Sequence, residues 1–145
     1  MLASWRAGYE VEREKYARAH RSKANVLLHA VLSPLEWVAA LVVVHRLTSS
    51  TVVWAIQVAV VCGTAMARPP ATIVLAAPQV LFAPAAISCA GAPPAQAVAV
   101  WVASMALQVV VGHGMLDRTA PSAVKEPLAF QSVFLNVAIT WDLGR

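Results

Sequence analysis

The segment "YARAHRSKANVLLHA", residues 16–30, contains two histidines, His20 and His29, immediately before the chain becomes almost wholly apolar. A third histidine, His113, stands between two glycines near the end of the apolar region. Neutral imidazole is a common ligand for iron and zinc, and a site with two or three histidines keeps coordination positions open for other ligands. These residue types therefore raise the hypothesis of a shared metal site.

Each of the three histidines has a polar residue four positions away, a spacing that places both side chains on one face of a helix. The pairs are Tyr16 with His20, Asn25 with His29, and Asp117 with His113. Such a partner can orient an imidazole ring or join it as a ligand. The alternative interpretation is that the histidines lie at a membrane interface without a metal, and that Asp117 is solvated.

The spacing of His20 and His29 sets a condition on the local structure. On one continuous helix, their nine-residue separation would turn the two side chains about 180° apart, with a rise of about 13 Å between them. A shared ion therefore requires a break in the helix, and either Ser22 or Asn25 could be the N-cap of a new one. We expect His20 to end one helix and His29 to lie about one turn into the next.

The elements that must position these residues belong to a membrane protein. Of the 145 residues, 59% are hydrophobic and only 12% are charged, and the mean hydropathy is +0.66. Between Thr48 and Leu116 the sequence has a single charged residue, Arg68. A segment of this kind cannot fold with a solvated outer face, so it indicates an integral membrane protein.

Breaks rich in proline and glycine divide the apolar region into four segments, at about 27–47, 52–67, 71–90 and 95–111. We therefore predict an all-α fold, a bundle of four transmembrane helices that forms a single membrane domain over residues 1–145. An amphipathic helix over residues 4–20 precedes the bundle. A C-terminal segment, residues 112–145, follows it and contains a short apolar, helical stretch near 128–141.

The distribution of basic residues predicts the orientation of this bundle. In a four-span arrangement, ten lysine and arginine residues fall on one side of the membrane and Arg46 on the other. Both termini should then be cytoplasmic, with His20, His29 and His113 at one membrane face and His45 at the opposite face. The net charge of +4 is concentrated beside apolar spans, which favours anionic lipid headgroups as partners and disfavours nucleic acid.

Two polar residues inside the apolar segments also need an explanation. Glu36 follows His29 by seven residues and lies on nearly the same helix face, but about 10 Å along the axis. A role beside the metal ligands, or an interfacial position, is more consistent with this distance than direct ligation. For Gln108, an interhelical hydrogen bond is the ordinary explanation.

Two blocks of sequence together resemble a known membrane family. The first is Tyr16-x3-His20-x4-Asn25-x3-His29-x4-Pro34, and the second is Gln108-x3-Gly112-His113-Gly114-x2-Asp117-Arg118-x2-Pro121. Their order, spacing and separation by apolar spans are similar to those of the 2-hydroxy fatty acid dioxygenases named for converting phytosphingosine to odd-numbered fatty acids.

The resemblance implies an Fe(II)-dependent α-oxidation, in which dioxygen is used to shorten a 2-hydroxy acyl lipid by one carbon. It implies that His20, His29 and His113 are metal-binding or otherwise essential, and that Tyr16, Asn25 and Asp117 belong to the same catalytic site. The family usually has glutamate at the position of Asp117, so direct ligation by this shorter carboxylate stays open.

Two other functions remain as alternatives at this point. One is a non-redox metal-dependent enzyme that modifies lipids or isoprenoids, and the other is a non-catalytic membrane scaffold. The sequence does not determine the chain length or stereochemistry of a substrate, and it leaves both a monomer and a homo-oligomer open.

Overall fold

The computed structural model describes residues 2–67 and 79–119, which are helical and contain no β-strand. Five α-helices follow one another in these two described ranges, and the last continues directly into a π-helix. They are α1 (Leu2–Ala19), α2 (Lys23–Leu47), α3 (Ser50–Ala67), α4 (Phe82–Ser88), α5 (Pro94–Leu107) and the π segment (Gln108–Asp117). Short 3₁₀ turns at residues 79–81 and Cys89–Gly91 flank α4.

The chain breaks between the first two helices, as the spacing of His20 and His29 requires. Helix α1 ends at Ala19, and Ser22 takes an extended conformation as the N-cap of α2. The Ser22 hydroxyl accepts a hydrogen bond of 3.1 Å from the backbone N–H of Asn25, which satisfies one of the donors left unpaired in a first helical turn. The predicted break and one of its two candidate N-caps are therefore confirmed.

Helix α2 is the central element of the described structure. It packs against α5, α4, the π segment and α3, while α1 lies against α3. The apolar core lies in the half of α2 away from the histidines and consists of Leu41, Val42, Val53, Ala83, Ala86 and Ala97. Alanines supply half of this cluster. Inside a membrane the hydrophobic effect does not drive helices together, and small residues such as alanine favour association because they let helix backbones pack closely.

Two helices are long and apolar enough to cross a membrane, Lys23–Leu47 and Pro94–Asp117. The apolar helices at Ser50–Met66 and Gln79–Gly91 are shorter. The all-helical prediction is thus confirmed for the described residues, which contain two candidate membrane-spanning helices, whereas the predicted four spans are not confirmed. Part of the predicted segment 71–90, and the whole apolar stretch near 128–141, lie outside the described residues.

The π segment is an unusual feature, because π-helices occur mostly as single turns and often at functional sites. Here it runs for ten residues, from Gln108 to Asp117. It ends at Arg118, whose left-handed backbone (φ 51°) turns the chain, and the backbone N–H of Thr119 donates to the His113 carbonyl at 3.0 Å. The segment carries every residue of the second sequence block up to Asp117.

Candidate metal centre

Three histidine rings meet where the end of α1, the start of α2 and the π segment come together. The ring centroids of His20 and His29 are 4.4 Å apart, those of His20 and His113 are 4.7 Å apart, and those of His29 and His113 are 5.4 Å apart. All three residues are buried, with exposed fractions of 5%, 7% and 4%. One ring nitrogen from each lies within 4.8 Å of the others, close enough for all three to bind one ion.

The break after α1 makes this convergence possible. Because the chain turns at Arg21 and Ser22, His20 folds back over the first turns of α2, where His29 lies on the inner face. The π segment runs antiparallel to α2 and brings His113 to the same end of the helix pair. His45 lies near the other end of α2, where its Nε2 is 2.9 Å from the Ser50 hydroxyl, so it is not part of the cluster.

Helix α1 fixes the orientation of His20 in two ways. The ring stacks on that of Tyr16, with centroids 3.6 Å apart and an angle of 10° between the planes. Its Nδ1 is 2.8 Å from the Tyr16 backbone carbonyl, and since a carbonyl only accepts hydrogen bonds, Nδ1 must carry the proton. The lone pair then resides on Nε2, the arrangement expected of a metal-ligating histidine.

Burial also determines the charge of His20. Removal from water lowers the pKa of its ring to about 4, although the hydrogen bond to the Tyr16 carbonyl acts in the opposite direction. The ring is therefore neutral at pH 7, which is the form that binds metals.

Three unpaired nitrogens test whether the cluster suits a metal. His20 Nε2, His29 Nε2 and His113 Nδ1 are buried and have no hydrogen-bond partner. Unpaired buried polar atoms are costly and uncommon in folded proteins, so three of them in one cluster need a common explanation. A bound cation with nitrogen ligands supplies it, and the donor set suits both iron and zinc.

A polar network holds His29 from the opposite side. The Gln108 side chain hydrogen-bonds the ring of His29. Gln108 Nε2 in turn donates to Glu36 at 2.8 Å, and the Ser33 hydroxyl donates to Gln108 Oε1 at 3.2 Å. The predicted interhelical hydrogen bond of Gln108 is confirmed, and Glu36 reaches the cluster through this amide rather than as a ligand.

The structure places Asp117 differently from the predicted pairing with His113. Its carboxylate accepts from the backbone N–H groups of Arg21 at 3.0 Å and Ser22 at 2.8 Å, and from the side-chain amide of Asn25. Asp117 thus fastens the end of the π segment to the break between α1 and α2. The i,i+4 rule missed these contacts, because they join residues more than ninety positions apart.

Two further residues belong to the site: Ser33, which was missed although the sequence contained a signal for it, and Gly112, which the second sequence block contains. Ser33 follows His29 by four residues, the same spacing that identified Asn25. Gly112 follows Gln108 by four and lies against the side chains of Asn25 and His29, where a Cβ would overlap the Asn25 amide oxygen. Tyr16, Asn25 and Asp117 all lie at the cluster, in the roles described above.

Comparison with known proteins agrees with the two sequence blocks. The family model described as 2-hydroxy-palmitic acid dioxygenase Mpo1-like matches residues 8–143, nearly the whole chain. Searches of curated proteins and of solved structures returned no match. On the extent of the family match, the chain belongs to the 2-hydroxy-palmitic acid dioxygenase Mpo1-like family.

Proposed function

We propose that this protein is an Fe(II)-dependent membrane dioxygenase that shortens 2-hydroxy fatty acids by one carbon through α-oxidation. The observation that carries the proposal is the buried cluster of three unpaired imidazole nitrogens in a chain of this family. The overall change balances: one dioxygen converts the 2-hydroxy acid into the acid one carbon shorter, while the lost carbon leaves as carbon dioxide together with one water.

The protein's own residues have defined parts in this proposal. His20, His29 and His113 would hold the iron, Tyr16 and Gln108 keep the first two rings oriented, and Asp117 holds the surrounding elements together. Bound iron would supply the reactivity toward dioxygen that side chains lack. The neutral ligands leave the positive charge of the cation uncompensated, which favours binding of a fatty acid carboxylate beside it.

The outer surface of α5 and the π segment suits an acyl substrate. Large apolar side chains are exposed along it, among them Val98, Val102, Leu107, Val109 and Val110. Exposed apolar surface of this extent is unusual for a soluble monomer and fits contact with lipid tails. The substrate's acyl chain would lie among these tails or within the bundle, with its carboxylate end at the histidine cluster.

We further propose that four helices cross the membrane and that both termini are cytoplasmic. The contact of Asp117 with Arg21 and Ser22 supports the same-side part of this arrangement, because it joins the entry of α2 to the exit of the π segment. In this arrangement membrane lipids surround the bundle.

The test is oxygen uptake by protein purified without oxygen and loaded with Fe(II), using 2-hydroxypalmitate as substrate. We expect stoichiometric formation of the acid one carbon shorter. Alanine at His20, His29 or His113 should abolish both turnover and metal content, whereas His45→Ala should retain both.

Three results would contradict the proposal. Turnover supported by zinc without oxygen consumption would indicate a non-redox metal enzyme. Unchanged metal content in the three alanine variants would indicate a non-catalytic scaffold. Equal sensitivity of His45 would contradict the separation of the four histidines between the two membrane faces.

A further inference from the structure

Asn25 has one unused hydrogen-bonding atom in the most buried part of the site. The residue is completely buried, with an exposed fraction of 0%. Its side-chain Nδ2 donates to Asp117, but its Oδ1 has no partner. A buried amide oxygen ordinarily accepts a hydrogen bond or binds a cation, so this atom indicates a missing ligand.

The orientation of the amide follows from chemistry. Asp117 already accepts from the backbone N–H groups of Arg21 and Ser22, and an ionised carboxylate can only accept. The amide of Asn25 must therefore turn its nitrogen toward Asp117. Its oxygen is then directed away from the carboxylate, toward the π segment.

In that direction Oδ1 reaches the histidine cluster. A Cβ on Gly112 would overlap Asn25 Oδ1, and His29 Nε2 lies 3.4 Å from the position of that Cβ. The absence of a side chain at Gly112 therefore lets two unpaired donor atoms, one oxygen and one nitrogen, approach the same space.

We propose that Asn25 Oδ1 is a fourth protein ligand to the metal ion held by the three histidines, and that Asp117 is its positioning residue. This inference rests on one part of the proposed function, namely that a metal ion binds at the three histidines. Three imidazoles and one amide oxygen form a neutral set that suits a divalent ion such as Fe(II) or Mn(II). Such a set would leave room beside the ion for a substrate oxygen and for dioxygen.

Mn(II) alone, bound to protein produced with ¹³C-asparagine, is the probe. A directly ligated amide transfers unpaired spin to its carbonyl carbon, so we expect a ¹³C hyperfine coupling too large for a carbon beyond a bridging water. The label also enters Asn136, so the signal is assigned by its loss in Asn25→Leu. That variant should also bind Mn(II) at least about tenfold more weakly.

Gln57→Leu is the matched control, because Gln57 is an equally buried amide that bonds Trp37 and the Gln79 carbonyl away from the cluster. It should leave the coupling and the Mn(II) affinity unchanged. If the wild type has no such coupling, or if the coupling survives in Asn25→Leu, Asn25 is not a ligand.

A second variant covers the case in which Asn25→Leu does not fold. The exchange Asn25→Asp with Asp117→Asn keeps a hydrogen bond between the two side chains and the acceptor for the Ser22 N–H, gives up the exposed contact with the Arg21 N–H, and places an anionic oxygen where Oδ1 was. We expect it to bind Mn(II) more tightly than the wild type, and an equal or lower affinity would contradict the assignment. Absence of oxygen uptake by the iron-loaded wild type would overturn the proposed function while leaving the ¹³C result intact.

Discussion

At the scale of single residues, the Asp117 carboxylate does most to hold the site together. It accepts hydrogen bonds from two consecutive backbone N–H groups at the break after α1 and from the Asn25 amide. Hydrogen bonds to charged groups stabilise folded proteins by about 1.5–3 kcal/mol each when buried, and less where water can replace the partner. The contact at Arg21 is exposed, so only part of this stabilisation applies.

We expect Asp117→Ala to lower the free energy of unfolding of the metal-free protein by about 1–3 kcal/mol. The variant should also weaken metal binding, because Asn25 and the start of α2 lose their anchor. Unfolding in mixed micelles followed by circular dichroism measures the first effect. Glu14→Ala, which breaks only an exposed pair with Arg18, is the control and should change stability by less than about 0.5 kcal/mol. Equal effects of the two substitutions would rule out the anchoring role.

Gly112 provides a second prediction at this scale. A Cβ there would overlap the Asn25 amide oxygen and lie 3.4 Å from His29 Nε2. Since both neighbours are buried and held by other contacts, we expect Gly112→Ala to destabilise the protein by about 1–3 kcal/mol and to reduce metal occupancy.

Gly63→Ala is the matched control, because Gly63 lies within α3 and a Cβ there meets nothing within 4 Å. Its stability should be unchanged or slightly higher, as alanine is the better helix former. Metal content by elemental analysis, measured beside thermal unfolding, distinguishes the two glycines. Full metal occupancy in the Gly112→Ala variant would show that the site tolerates a side chain at this position.

The residues of the cluster were largely predictable, while their contacts were not. Topology and residue type grouped His20, His29 and His113, because a count of basic residues assigns them to one membrane face. The spacing rule paired Asp117 with His113, but the carboxylate instead binds Arg21 and Ser22. Such long-range contacts depend on how two helices dock, which no local pattern encodes.

At the scale of elements, the π segment and α2 are joined by a buried polar network. Gln108 bonds Glu36 and Ser33 across the helix interface and also contacts the ring of His29. Its Nε2 further approaches the Ser104 carbonyl at 3.3 Å, so both amide hydrogens are directed at acceptors. The network orients a proposed ligand and fixes the register of the two helices.

Gln108→Leu should therefore destabilise the protein by about 1–3 kcal/mol, because the Glu36 carboxyl loses one of its two hydrogen-bond partners and keeps only Trp101. Combining it with Glu36→Leu should recover part of that loss, since no buried carboxyl with a missing partner then remains. A double-mutant cycle on unfolding free energies gives the coupling, which we expect to be at least about 0.5 kcal/mol. Strict additivity of the two substitutions would mean that the hydrogen bond contributes nothing.

Sequence patterns predicted some of the structural elements and missed others. The break after His20 was predictable because a serine N-cap leaves a local signature, and Ser22 has it. The π segment was not, because its apolar composition resembles that of any membrane helix. Asp117 is its last residue, where the carboxylate reaches Arg21 and Ser22 on another element, and a local spacing rule cannot find such partners.

At the scale of the whole molecule, the site connects the two ends of the apolar region. Asp117 is the last residue of the second candidate span, and its partners Arg21 and Ser22 precede the first. If both candidate spans cross a membrane, the segments that flank them lie on one side of it, whether the chain between the spans crosses twice or not at all. Hydropathy alone could not separate these cases, because two of the four predicted segments are short.

Cysteine labelling distinguishes the two arrangements. In a background with Cys62 and Cys89 replaced by serine, single cysteines would be introduced by Arg18→Cys, Thr48→Cys and Arg68→Cys. Four spans place positions 18 and 68 on one side and position 48 on the other. If only the two candidate spans cross the membrane, α3 and the segment after it stay at the far face. Positions 48 and 68 then lie on the same side of the membrane.

We expect a membrane-impermeant maleimide added to sealed inverted vesicles to label positions 18 and 68, and to label position 48 only after the membrane is permeabilised. The physical reason is the excess of basic residues: in the four-span arrangement nine lysine and arginine residues other than Arg68 lie on the side of position 68, against Arg46 on the other, so the expectation does not depend on the charge that Arg68→Cys removes. Position 48 follows His45 and Arg46 at the far end of α2, which makes it the internal reference for the opposite face. Labelling of 68 together with 48 would reduce the bundle to two spans, while the histidine cluster would keep its place beside position 18.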